Sequence, residues 1–329
     1  MFPKLASVSS VVRCSLRVVA PAQALRAFTS SASALESPKT ANKQERPRRT
    51  LFYIPGSEER KLNSSLKLKA DCLVYDLEDG VAVNRKGAAR QQVFNAFQTF
   101  DVGRAEKAVR INAVGSGLEI DDLNVVLRSK NLQALVIPKV QSARDVEFIS
   151  RMIDSVAPES NRASIRLLPC VESALGVINV KEIATADPRI DGIIFASEDY
   201  CADTGLLRTP SRKEMLYARQ AVVTAACAFG LQSIDIVCQD YKSENILTEE
   251  CQEGREFGFT GKQAIHPAQV ETIHKIFSPT EKEIERATKI MEGYNEHLQK
   301  GIGAFVLDGK MIDMPVVKWA QRLLARAQV

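Results

Sequence analysis

SIRLLPCVE at residues 164–172 and DGIIFASED at residues 191–199 share one design: a short unbroken apolar run that ends abruptly in carboxylates. A strand with one wet face would alternate, so an unbroken run marks a strand covered on both faces, as in a parallel sheet. Outward from this pair the pattern recurs. It reads TLFYIP (50–55), DCLVYDLED (71–79), KAVRIN (107–112) and ALVIPKV (134–140) on one side, and QSIDIVCQD (232–240) and GKQAIHP (261–267) on the other. Helical patterns lie between the runs. One opens at Ser142 with Asp145 three residues on, and another, 213–229, stops at Gly230; such residues start and end helices. Eight strand–helix units predict an α/β fold, a (β/α)₈ TIM barrel over residues 47–277. An open doubly wound sheet would carry a G-x-G-x-x-G loop after its first strand, and PGSEER (55–60) is not one.

Residues 278–329 extend past the eighth strand. Ser278 is the expected N-cap of an extra helix, with Pro279 at N1 and Glu281 completing a capping box. GIGAFVLDGKMIDMP (301–315) and a last helix from about 315 to 328 follow. Together they predict a C-terminal helical lid extension that covers the barrel or reaches a neighbouring subunit.

The formal net charge of +4 comes from the start of the chain. Residues 1–35 contain Lys4, Arg13, Arg17 and Arg26 and no acid; without those four, Lys and Arg equal the 40 Asp and Glu. A neutral body gives no reason to expect nucleic acid or an anionic membrane surface as partner. No apolar run is long enough to cross a bilayer. The leader's serines and spaced arginines among Leu, Val and Ala have the pattern of a mitochondrial transit peptide. Residues 1–46 are therefore expected to be transit peptide and linker, and KTANKQERPRRT (38–49) reads as polar. No C-x-x-C occurs; Cys72, Cys170 and Cys238 sit in strand-like runs and are expected to be buried thiols of a reducing compartment, the mitochondrial matrix.

In a (β/α)₈ barrel the active site forms at the C-terminal ends of the strands. Those ends carry Tyr53; Asp76, Glu78 and Asp79; Arg110 and Asn112; Lys139; Glu172; Glu198 and Asp199; Asp240; and His266. With only three histidines and neither H-E-x-x-H nor G-x-S-x-G present, nothing in the sequence points to zinc proteolysis or an esterase triad. His274 and His297 fall in helices and are expected at the surface; His266 can serve a turn or catalysis. Glu172 and Asp199 end adjacent strands and can converge. Two carboxylates with open positions suit magnesium, or, without metal, a general acid and base. Arg110 is positioned to grip a substrate carboxylate bidentately. Lys139 has a rival role as a Schiff-base lysine.

The motifs LFYIPG (51–56), YDLEDGVA (75–82), VRIN (109–112), IPKV (137–140), PCVESALG (169–176), FASEDY (195–200), FTGKQAIHP (259–267) and GKMIDMP (309–315) resemble, in this order, the citrate lyase beta-subunit-like branch of the HpcH/HpaI aldolase family. The resemblance spans about residues 48–320. It implies a homotrimeric barrel that binds Mg²⁺ through Glu172 and Asp199. It implies that Arg110 holds a keto-acid carboxylate, that Tyr53, Arg60, Gln263 and Ala264 contact the acyl-CoA thioester, and that Asp313 on the lid is the catalytic acid/base, completing a neighbour's site. Relatives carry another basic residue one turn after Arg60, where this chain has Ser64. With the leader and the GKMIDMP tail, the implied reaction is retro-Claisen cleavage of (3S)-citramalyl-CoA to acetyl-CoA and pyruvate, a small 2-keto acid. The alternatives are malate or β-methylmalate synthesis from glyoxylate, or a non-catalytic subunit of a lyase complex.

Overall fold

Eight parallel strands close on themselves in chain order: β1 (Thr50–Pro55), β2 (Cys72–Asp76), β3 (Glu106–Arg110), β4 (Ala134–Ile137), β5 (Arg166–Val171), β6 (Gly192–Phe195), β7 (Gln232–Asp235) and β8 (Gly261–Ala264). Phe52 of β1 is in register with Leu73 of β2 on one side and Ala264 of β8 on the other, which seals the barrel. The structure, a computed structural model, describes residues 46–299 and 303–327. The expected transit peptide lies outside the described residues.

Side-chain alternation splits the apolar residues in two. Leu51, Cys72, Val74, Ala108, Val136, Leu168, Cys170, Ile194 and Ile234 form one cluster, joined by Tyr53. These fill the barrel. Their neighbours Phe52, Leu73, Tyr75, Val109, Leu135, Leu167, Ile193 and Phe195 join a larger cluster with helical residues such as Ala89, Val93, Ile149 and Val222. Burial on both faces explains why the sequence shows unbroken apolar runs. Cys72, Cys170 and Cys238 are buried free thiols, as expected.

The local signals that mark helix ends also hold. Ser142 and Asp145 form a capping box, and Gly230 ends the helix Leu216–Phe229 in the left-handed region (φ 66°). The tail requires corrections. The helix Glu281–Gln299 is capped by Thr280, not Ser278: the Glu283 N–H donates to the Thr280 hydroxyl (3.3 Å) while Glu283 accepts from the Thr280 N–H (2.8 Å). The Ser278 hydroxyl is instead engaged by Arg49 (2.9 Å). Between the tail helices stands an unforeseen hairpin of β9 (Phe305–Leu307) and β10 (Lys310–Ile312). Its turn places Asp308 and Gly309 at positive φ (51° and 72°), the Asp-Gly signature of a tight hairpin. The hairpin and the two helices share a core of Ala287, Ile290, Phe305, Ile312, Val317, Ala320 and Leu323.

A second correction concerns the basic stretch before β1. Arg48 is not part of a polar linker. Its side chain is fully buried, donating to Glu106 through Nε (2.5 Å) and Nη2 (2.8 Å) and to Asp191 through Nη1 (2.8 Å). Arg49 grips Asp71 in the same region. Burial pushes the Glu106 carboxyl up, but the Arg48 charge and hydrogen bonds outweigh it and hold it below the usual carboxylate range. This ionic plug closes the N-terminal mouth of the barrel.

Candidate active site

At the opposite mouth the loops after β2 to β6 bring acidic side chains together. Asp76 ends β2 and is saturated. Its Oδ1 accepts from the Glu78 N–H (2.9 Å) and Arg110 Nε (2.7 Å), and its Oδ2 from the Gly80 N–H (2.9 Å) and Arg110 Nη2 (2.8 Å). A Cβ on residue 80 would come within 2.4 Å of the Asp76 carboxylate, so this position requires glycine. Arg110 also meets Glu78 through Nη1 (3.1 Å) and lies over the Tyr53 ring (4.7 Å). Its side fork, expected to face a substrate, is spent on Asp76. N–H groups on its terminal nitrogens remain for a substrate oxygen.

Behind this pair, Lys86 donates to the Leu77 and Glu78 carbonyls and to Asn112 Oδ1, each at 2.7 Å. Asn112 is fixed in turn by Asp122 (2.6 Å). The YDLED loop is thereby held from the back, which leaves Glu78 and Asp79 facing the mouth.

Lys139 occupies the centre. It follows β4 with φ 52°, an uncommon conformation for a residue with a side chain. Its main-chain N–H donates to Glu172 Oε1. Its ammonium contacts Glu78 (2.6 Å), Asp79 (3.3 Å) and Asp199 (3.7 Å). Burial would lower this ammonium, but its hydrogen bond and charge contact with Glu78 win and raise it. A Schiff-base lysine needs the opposite shift, toward a free amine, so that rival role lacks support here.

Glu172 follows β5 and is 5% exposed. Burial first, then the charge of Asp199, push its carboxyl up to about 8, against the pull of the Lys139 N–H. Asp199 lies in the helix Ser197–Thr204 that follows β6. Sequence reasoning paired these two residues, and the structure brings them within electrostatic reach of each other. Burial also raises Glu78. Five carboxylates (Asp76, Glu78, Asp79, Glu172 and Asp199) thus share this mouth with Arg110 and Lys139. An excess of oxygen donors, one of them hard to ionise for want of a counter-charge, fits a hard divalent cation. Glu172, Asp199 and the exposed Asp79 lack a side-chain partner as close as those of Asp76 and Glu78.

The other expected contacts are dispersed. The Tyr53 hydroxyl donates to Gln263 Oε1 (3.0 Å), and Gln263 Nε2 donates to the carbonyls of Phe195 (2.9 Å) and Asp235 (3.1 Å). Gln263 and Ala264 are buried, so the Gln263 side chain ties strands together beneath the mouth. Arg60 is exposed on the helix Glu59–Ser65 and lines an open recess with Asn63, Ser64 and Lys67. Asp313 is exposed beside β10; among the described residues its carboxylate accepts only from the Val316 N–H (3.4 Å). Among the described residues no contact joins it to Glu172. His266 stacks on Tyr241 and accepts from the Ala268 N–H, a turn role. His274 and His297 are partly buried, against Asp71 and Phe305, rather than on the surface.

The family model "HpcH/HpaI aldolase/citrate lyase" matches residues 49–267, which include all eight strands of the barrel. The chain belongs to this family. A second model, "C-C_Bond_Lyase of the TIM-Barrel fold", matches residues 212–329. The chain is 38% identical to the mitochondrial citramalyl-CoA lyase of Rattus norvegicus, over 85% of this chain and 86% of that one. It is 35% identical to the citrate lyase subunit beta of Leuconostoc mesenteroides subsp. cremoris, over 86% and 94%. Among solved structures it resembles CitE from Mycobacterium tuberculosis in complex with magnesium, acetoacetate and coenzyme A, with TM-score 0.70, 28% identity and coverage of 86% and 99%. This member of the HpcH/HpaI aldolase/citrate lyase family is a carbon–carbon lyase.

Proposed function

We propose that the chain cleaves (3S)-citramalyl-CoA to acetyl-CoA and pyruvate with Mg²⁺ held by Glu172 and Asp199, as a homotrimer in the mitochondrial matrix. The observation that carries this reading is the surplus of carboxylates at one mouth of the barrel, with Glu172 raised to about 8. The mitochondrial citramalyl-CoA lyase relative supports the substrate and the compartment, and the magnesium and coenzyme A bound by CitE support the metal and the thioester.

The reaction breaks the bond between the hydroxyl-bearing carbon and the carbon next to the thioester. The hydroxyl gives its proton to the ionised Asp313 carboxylate as its oxygen becomes the ketone of pyruvate, and the bonding pair passes to the acetyl fragment as an enolate. Magnesium would supply Lewis acidity and fixed geometry at the hydroxyl and carboxylate oxygens. Arg110, braced by Asp76 and stacked on Tyr53, turns its remaining N–H groups to the charge on the pyruvate side. Asp313 protonates the enolate carbon to give the acetyl methyl group. No contact among the described residues ties it to the mouth of its own barrel, and the Asp313 of a neighbouring subunit is the group proposed to serve each site. Val306, Met311 and Met314, exposed around Asp313, are suited to such a contact. Arg60 and Lys67, which line one open recess, would take the coenzyme A phosphates, and closure by the lid would keep water from the enolate.

The test is a panel assay of the purified chain with citramalyl-CoA, malyl-CoA, and acetyl-CoA plus glyoxylate, each with and without EDTA. Chelator-sensitive pyruvate release from citramalyl-CoA is the expected result. Turnover of none of these free thioesters would favour a subunit of a lyase complex, and preference for glyoxylate would favour a synthase.

A further inference from the structure

Lys139 combines two features that packing does not explain. A lysine at φ 52° is held in a conformation costing about 1–3 kcal/mol, and such strain persists where the surroundings over-determine it. Here the left-handed turn lets one residue reach both halves of the acidic mouth. Its main-chain N–H meets Glu172, while its ammonium lies among Glu78, Asp79 and Asp199. An extended backbone at residue 139 would send the N–H and the side chain elsewhere. The ammonium therefore stands where a positive charge is most needed when no metal is bound.

We propose that Lys139 is a positioning residue that acts as a built-in stand-in cation: it holds Glu78, Asp79 and Asp199 together before metal enters and withdraws from Asp199 when a divalent cation binds. This rests on the reading that Glu172 and Asp199 take the cation. The ammonium lies 3.7 Å from Asp199, so a doubly charged ion on that carboxylate would face a like charge at short range. Coulomb repulsion at such a distance is worth several-fold to a hundredfold in affinity even when strongly screened. Glu78, at 2.6 Å, is the anchor to which the ammonium retreats. Lys139 thus weakens cation binding while it keeps the empty site ordered. A purely structural lysine would do the reverse, since its loss would loosen the ligands.

Titration of the purified full-length chain with Mn²⁺ alone, followed by electron paramagnetic resonance, tests this. Lys139→Asn removes the charge and keeps a residue that tolerates the left-handed region. It should bind Mn²⁺ about tenfold more tightly, with Lys139→Met changing in the same direction and Lys139→Arg close to the wild type. Equal or weaker binding by the Asn variant overturns the proposal. A measurement free of substitutions is the Mn²⁺-loaded crystal structure of the wild type. The separation of Lys139 Nζ from Asp199 should exceed 3.7 Å, and an unchanged contact overturns the proposal. If the wild type binds no Mn²⁺, the metal reading fails and takes this one with it; Mn²⁺ binding without the Lys139 effect removes only this one.

Discussion

The two mouths of the barrel carry similar kinds of side chain in opposite states. At the N-terminal mouth, Arg48 is enclosed with Glu106 and Asp191, and burial is answered by charge: Glu106 is held low and Arg48 high. At the C-terminal mouth, Asp76 and Arg110 repeat that pairing, but Glu78, Asp79, Glu172 and Asp199 crowd around one further cation, Lys139. There Glu172 is pushed up instead of down. A satisfied ionic cluster holds the fold together. An unsatisfied one, more open to solvent, is poised to receive positive charge from outside.

The largest expected effect at the unsatisfied mouth comes from removing a cation ligand. Glu172→Ala or Asp199→Ala should lower kcat by at least about a thousandfold, the equivalent of several kcal/mol of transition-state stabilisation, with an unfolding temperature at or above that of the wild type. Loss of activity by unfolding instead would make this mouth structural as well. Asp313→Asn should reduce the rate by roughly 10²–10⁴-fold, the range of a lost proton donor, with Mg²⁺ affinity unchanged by calorimetry. Mixing this variant with Glu172→Ala should restore activity if each site borrows its acid from a neighbour; no recovery would place the two groups in one subunit.

At the satisfied mouth the order of effects reverses. Arg48→Met should cost about 3–5 kcal/mol in denaturant unfolding, as when a buried ion pair loses one partner, while the folded fraction keeps its KM. A change in KM without loss of stability would break the contrast between the mouths. The smallest effect is pH-dependent. Below about 8 a proton sits on Glu172 in the metal-free protein and competes with the cation. Apparent Mg²⁺ affinity should therefore climb as pH rises from 6 to 8, by up to about tenfold per pH unit for one proton released, and level off above. A flat profile would exclude Glu172 as a ligand.

Much of the barrel was legible because each strand is buried on both faces, and a run such as DGIIFASED shows both its core and its functional end. The rim residues followed from the same runs: Glu172 and Asp199 were found as a pair because β5 and β6 are neighbours. What escaped notice depends on partners distant in sequence. Arg48 looks like one base in a polar stretch until Glu106 and Asp191 surround it. The Arg110 fork looked available because nothing in VRIN reveals that Asp76, 34 residues earlier, occupies it. Nothing around Gln263 in the sequence shows that its amide also bridges strands inside the barrel. The β9–β10 hairpin was signalled by Asp308–Gly309, but its strands are only three residues each, too short to show a period. Thr280 and Ser278 are both good caps by composition, and the claim of Arg49 on Ser278 decides between them.

The central claim is that Glu172 and Asp199 jointly hold a divalent cation. Its most direct test is anomalous diffraction from crystals of the full chain soaked in Mn²⁺. The account predicts one strong peak about 2.0–2.3 Å from oxygens of both carboxylates, the usual range for small hard cations, and its loss in Glu172→Ala. A peak that avoids either residue, or no peak from an enzyme that turns over undiminished in EDTA, would contradict it.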